Sequence, residues 1–340
     1  MRFVKWLIAI LVVLVIVYML GPAPDAPVYN YTLPTVPAAP AALETYISNN
    51  EAQHTIKPSN EARIVWANDS LKQKTPYAIV YLHGYSASQE EGSPIHTNIA
   101  KAYGCNLYLS RLSQHGIDTV MPMMYLTAEN YWESAKQALA IGKQLGDKVI
   151  LMGTSTGGTN ALQLAAAYPN DVAALVLLSP NIAINNPNAY LLNNHWGLQL
   201  ANLITGSDMV IAGDSTAIYK KYWYYQYPMQ ATVQLQEMLE TTMTPDNFAK
   251  VKQPVLLLYY YKDETHQDPV VSVPAMLTMF DQLGSAVKIK QAIPNAGDHV
   301  IGSYIKSKDL LSVQQAIDGF MGNTLKLPRA QTNIVTITTP

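Results

Sequence analysis

A doubly wound α/β architecture, a mostly parallel sheet with an inserted cap, is what this sequence predicts, and three observations lead to it. Short apolar runs that end in turn residues alternate with segments of helical spacing. The runs are apolar at nearly every position, as strands buried on both faces of a parallel sheet must be. Between about residues 181 and 250 the alternation stops for longer than a simple crossover needs, which predicts the cap. With 340 residues, 49% of them hydrophobic, the chain can build one large core with additions.

The first element is MRFVKWLIAILVVLVIVYML, in which Arg2 and Lys5 precede an apolar run from Trp6 to Leu20. As a helix that run is about 22 Å long against a roughly 30 Å hydrocarbon core, and Phe3, Val4 and a snorkelling Lys5 extend it. Residues 1–21 therefore read as a membrane anchor or a signal peptide. Gly21, Ala23 and Ala26 offer cut sites, but Pro24 and Pro27 beyond them hinder a peptidase, which favours the uncleaved anchor. Basic residues before the run and Asp25 after it place the following domain on the non-cytoplasmic side; export after cleavage is the alternative.

Residues 22–44 are proline-rich and read as an extended linker, with the folded domain expected over 45–325. TPYAIVYLHG and DKVILMG read as strands, and AENYWESAKQALAIGKQLG between them spaces Trp132, Ala135, Ala138, Leu139 and Ile141 as a helix does. DVAALVLLSP and QPVLLLYYY are further buried strands, and AMLTMFDQLG is a helix before the strand AVKIKQAIP. The cap, 181–250, holds an Asn-rich stretch and then AIYKKYWYYQYPMQATVQLQEML. Residues 326–340 read as a loose tail or an edge strand.

A net charge of −2 with no polybasic run excludes nucleic acid as a partner. One cysteine, Cys105, excludes an internal disulfide. The seven histidines show no metal-ligand spacing, so neither a metal nor another cofactor is expected.

The chemistry centres on Gly153-Thr154-Ser155-Thr156-Gly157, a G-x-S-x-G sequence between an apolar run and a helical one. There a serine sits on a strained turn, the flanking glycines let helix and strand approach, and the hydroxyl stands above the sheet edge. A glycine-rich turn that binds phosphate is the alternative, but no P-loop lysine follows and G-x-G-x-x-G is absent. A nucleophilic serine needs a base. His299, in AIPNAGDHVIGSY, is the one histidine beyond the last expected strand. For the acid, Asp263 stands where a strand-end carboxylate emerges, whereas Asp268 precedes PVVS, whose valines would pack the loop against the imidazole. Asp268 is chosen on that ground, with Asp263 as the alternative. The oxyanion donors expected are the backbone amides of Thr156 and of Tyr85, in the loop after LHG; losing one such donor typically costs about 3 kcal/mol. His83 is expected to be structural.

With LHGYSAS, GTSTGG, YYYKDETHQDPVVS and AGDHVI in that order, residues 75–320 resemble the α/β-hydrolase superfamily, and within it the carboxylesterase and monoacylglycerol-lipase-like members. LSRLSQHGID is similar to a Gly-His-Gly segment of lipase-like members, with Gln114 in place of a glycine; His115 is read as structural. The resemblance implies a serine hydrolase that cleaves carboxylic esters of small molecules or lipids through an acyl-enzyme. Acyl transfer or amide cleavage by the same triad, or a non-catalytic module that binds a lipid or a partner, are the alternatives.

Overall fold

The computed structural model describes residues 2–330; the part of the expected tail from 331 to 340 lies outside the described residues. A central sheet is built from β1 (Arg63–Val65), β2 (Thr75–Leu82), β3 (Asn106–Leu109), β4 (Gly146–Thr154), β5 (Val172–Leu178), β6 (Val255–Tyr259) and β7 (Lys288–Ala292). Their spatial order is β1-β3-β2-β4-β5-β6-β7, with β1 antiparallel to β3 and the other neighbours parallel. The helices are α1 (Arg2–Met19), α2 (Pro40–Glu51), α3 (Ile95–Tyr103), α4 (Ala128–Leu145), α5 (Thr156–Ala167), α6 (Gly197–Thr205), α7 (Ala217–Tyr222), α8 (Met229–Thr242), α9 (Pro245–Lys250), α10 (Val273–Gln282) and α11 (Leu310–Gly319).

Strand side chains alternate between faces, and here both faces are covered, which is why the runs lack a polar position. Ala78, Val80 and Leu82 of β2 enter the core under α4, α5 and α10, while Ile79 and Tyr81 enter the opposite core under α3 and α11. Val149 and Leu151 of β4 divide from Ile150 and Met152 in the same way. Thr127 starts α4 with a capping box: its hydroxyl accepts the Asn130 amide at 3.1 Å and the Asn130 side chain accepts the Thr127 amide at 3.1 Å.

The cap lies between β5 and β6. It comprises α6, α7, an antiparallel pair Met209–Ile211 with Gln226–Pro228, α8 and α9, with α6 packed on α8. α1 is long and apolar enough to cross a membrane and buries no residue against the domain. The proline-rich residues after it are extended, and they lie along α4 and α5. The Asn30 carbonyl accepts Trp132 Nε1 (2.8 Å), the Thr32 carbonyl accepts Lys136 Nζ (2.9 Å) and the Tyr31 carbonyl accepts the Tyr168 hydroxyl (2.9 Å). The Trp132 ring is met edge-on by Tyr29 and Tyr31, and Val36 is buried in the core.

Candidate active site

β4 runs into α5 through Ser155, whose backbone stands at φ 53°, ψ −122°. A non-glycine residue there is strained, so other contacts must hold it. They do: the Ser155 amide donates to Leu178 O (2.9 Å), and its carbonyl accepts the amides of Gly158 (2.8 Å) and Asn181 (2.9 Å). The glycines give the room. A Cβ on Gly157 would lie 1.9 Å from the Leu82 carbonyl oxygen, and one on Gly153 would lie 2.5 Å from the Gly157 backbone. The sharp turn is thereby fixed by the sheet below it.

His299 is buried after β7, and its Nδ1 donates to Asp268 Oδ2 at 2.6 Å. Asp268 is 1% exposed, and its other oxygen accepts the amides of Val270 (2.9 Å) and Val271 (3.0 Å). Val271 is buried and bridges to Ile184, so the apolar anchor after the carboxylate is present. Asp263 lies elsewhere, on an exposed turn, where it accepts the amides of Thr265 and His266 and the His266 Nδ1 (2.8 Å). Asp268 and Asp263 are thus separated: the first meets His299 and the second does not.

Burial opposes the ionised form of both members of the buried pair. For Asp268 the His299 charge and hydrogen bond, with the two valine amides, outweigh burial and hold the carboxyl below its ordinary range. For His299 the Asp268 charge and hydrogen bond outweigh burial and hold the imidazole above 6.5, aided by Glu91 and Asp298. With Nδ1 occupied, His299 Nε2 is the free nitrogen; it is buried and has no hydrogen-bond partner among the described residues. It belongs to a cavity of 380 Å³ that Ser155 also lines. A serine and an imidazole therefore share one cavity, with the Asp268 carboxylate behind the imidazole, which suits removal of a proton from a hydroxyl.

The loop after β2 forms a second wall. Thr156, first residue of α5, has an amide with no intrahelical acceptor by its position. Tyr85 lines the same cavity as Ser155. Two neutral histidines shape its loop from beneath. His83 Nδ1 donates to Gly84 O (2.9 Å) and its Nε2 accepts the Leu112 amide; burial lowers its pKa to about 4. His115 Nδ1 donates to Ser113 O (2.7 Å) while Nε2 accepts the Ser86 amide (3.0 Å), and burial takes this imidazole well below its usual value.

Sequence reasoning passed over Glu91. This buried carboxylate accepts the Gly84 amide at 2.5 Å and faces the cavity that Ser155 and His299 line. Burial raises its pKa to about 7 against the lowering effects of the Gly84 amide and the His299 charge. Two adjacent glutamates in a polar stretch look solvated, and nothing local distinguishes Glu91 from Glu90.

The aromatic row of the cap divides. Tyr219, Trp223 and Tyr227 line the cavity shared by Ser155 and His299, with Tyr219 and Trp223 stacked at 5.2 Å. Tyr224 is packing: its amide donates to Ser86 O and its hydroxyl to Ile117 O. Tyr225 lines a separate surface groove. At the cavity wall Lys306, after the histidine, pairs with Asp214 of the cap at 2.5 Å. A neighbouring apolar cavity of 400 Å³ under α6 shares Ile184, Tyr227 and Thr232 with the one that Ser155 lines. Cys105 is buried with its thiol pushed up to about 12, and no cluster of metal-ligating side chains occurs among the described residues.

No curated protein sequence matches the chain. Solved structures share its fold at low identity. A metagenome-derived lipolytic enzyme, from work on LipS and LipT, is 17% identical with a TM-score of 0.63 over 79% of this chain and 100% of its own. Est1E of Butyrivibrio proteoclasticus, solved with ferulic acid, is 16% identical (TM-score 0.54; 78% and 95% covered). The monoacylglycerol lipase of Paleococcus ferrophilus is 14% identical (TM-score 0.53; 77% and 98%). The family model for serine aminopeptidase, S33, matches residues 129–299, which include Ser155, Asp268 and His299. The fold and this match over half the sequence place the chain in the S33 serine aminopeptidase family of α/β-hydrolases.

Proposed function

We propose that the protein is a serine hydrolase of carboxylic esters, held at a membrane by α1 with its catalytic domain on the non-cytoplasmic side. The observation that carries the reading is the buried Asp268–His299 pair, whose free Nε2 belongs to the cavity that Ser155 lines. In the proposed reaction His299 takes the Ser155 proton as the hydroxyl oxygen attacks the ester carbonyl. The amides of Thr156 and Tyr85 hold the oxyanion. The imidazolium returns its proton to the departing alcohol, and the acyl-enzyme is then hydrolysed by water activated on the same imidazole. Asp268 orients the ring and stabilises its charged form. The apolar cavity under α6 would take the acyl chain.

A fluorophosphonate should label the full-length chain at Ser155, and Ser155→Ala should abolish labelling; persistent labelling of that variant sinks the assignment. A chain-length series of esters then defines the acyl group. Amide cleavage is the second reading, favoured by the description of the family and by two carboxyl groups at the cavity, Glu91 and Asp298. Faster turnover of aminoacyl amides than of matched esters would establish it.

A further inference from the structure

We propose that α6 and the loop before it form a membrane-docking surface that lays the cap on the bilayer entered by α1. This rests on reading α1 as a membrane segment and is independent of the catalytic assignment. α6 turns one face to the domain and exposes Leu200 (46%), Leu203 (78%) and Ile204 (83%) at helical spacing; Leu203 points away from the apolar cavity under α6, and Leu200 and Ile204 lie at its rim. Tyr190 and Leu191 before it are exposed as well. From Val172 to Ser207 the chain has no Asp, Glu, Lys or Arg. An uncharged outward surface of leucine, isoleucine and tyrosine avoids the cost of placing charges at the edge of hydrocarbon.

What covers this surface is indicated by its attachment. The end of α1 is bound to the start of α6 rather than to a free tether. Trp196 Nε1 donates to the Val17 carbonyl (3.1 Å), one of the last-turn carbonyls of α1 that the helix itself leaves open. The Trp196 amide donates to Pro22 O (2.8 Å), and His195 Nδ1 donates to Gly21 O (2.6 Å) while its ring meets Tyr18 edge-on. A Cβ on Gly21 would fall 2.0 Å from the Trp196 indole, so the junction is closed to larger residues. Tyr18 and Trp196 are the residue types that settle at a membrane interface. With α1 in the bilayer, α6 begins at its surface, and the exposed leucines have hydrocarbon as their neighbour.

The test uses the full-length chain in phosphatidylcholine vesicles, with an environment-sensitive nitrobenzoxadiazole probe on Leu203→Cys and, for comparison, on exposed Asp69→Cys; native Cys105 is buried. The probe on Leu203→Cys should emit blue-shifted light relative to the other and lose emission when the vesicles carry doxyl-labelled lipids. Flotation with the vesicles reports α1 insertion separately. Flotation with water-like emission from the Leu203→Cys probe overturns the docking surface and leaves the anchor intact. A blue shift that lipid quenchers do not reach means protein covers the helix, a second copy included, and also overturns it. Failure to float overturns both. As a second measure, Leu203→Asp should slow hydrolysis of a vesicle-dissolved long-chain ester and leave a soluble short-chain ester unaffected; equal rates on both would count against docking.

Discussion

Two aspartates five positions apart follow the same strand, and their surroundings assign them different chemistry. Asp268 is enclosed by two backbone amides and an imidazole, whereas Asp263 pairs with a histidine on an exposed turn. Asp268→Asn should lower kcat by about 10³–10⁴-fold through loss of the imidazolium partner and its tautomer. Asp263→Asn should stay near wild type; equal losses on a chromogenic ester would contradict the assignment. Because His299 is held above 6.5 and must be neutral to act as base, the acid limb of kcat/KM should have its midpoint above pH 6.5. Glu91 works in the opposite sense to a paired carboxylate. Its folded pKa is raised to about 7, so the folded chain keeps a proton that the unfolded chain has released, and stability falls as pH rises from about 4.5 to 7. The share due to Glu91 is at most about 3 kcal/mol. Thermal unfolding of Glu91→Gln, followed across that window, should show a shallower decline than wild type; parallel curves would mean the carboxyl titrates normally.

At the scale of elements, what was legible in the sequence is what local pattern determines. β2, β4, β5 and β6 declare themselves because both faces are buried, and Gly157 declares the turn because no other residue fits against the Leu82 carbonyl. Gly157→Ala should therefore misplace Ser155 and cost about 1–3 kcal/mol or more by overpacking, which denaturant titration would measure alongside loss of fluorophosphonate labelling. Other features depend on partners far along the chain. Three-residue β1 is too short to carry a period, and it exists through its antiparallel register with β3. The proline-rich segment is extended as its composition dictates, but its seat depends on Trp132, Lys136 and Tyr168, more than a hundred residues away. That Asp268 rather than Asp263 meets His299 was readable from the valines that follow it; the burial of Glu91 was not, since it comes from residues distant in the local pattern closing around it.

The whole molecule is a hydrolase domain bound at two places to the segment that precedes it: the cap to the end of α1, and α4 and α5 to the proline-rich strap. Deleting residues through 39 should lower the unfolding midpoint by roughly 5–10 °C, since five strap hydrogen bonds worth about 1 kcal/mol each are lost; an unchanged midpoint would show the strap adds no stability. The same attachment makes the cap the part of the domain whose position is set from outside the sheet. At the wall of the cavity that His299 lines stands an ion pair between Lys306 and Asp214 of the cap, whose side chains are partly exposed. Its carboxyl is held down to about 2 by the lysine hydrogen bond and those of Thr216, so the aspartate stays ionised throughout the working pH range. Attraction between partly exposed charges weakens as ions screen it. The width of the cavity's wall at this point should therefore answer to ionic strength: bulky substrates should gain more than small ones as salt is raised, and the difference should vanish in Asp214→Asn, making a dissolved electrolyte a selector of substrate size.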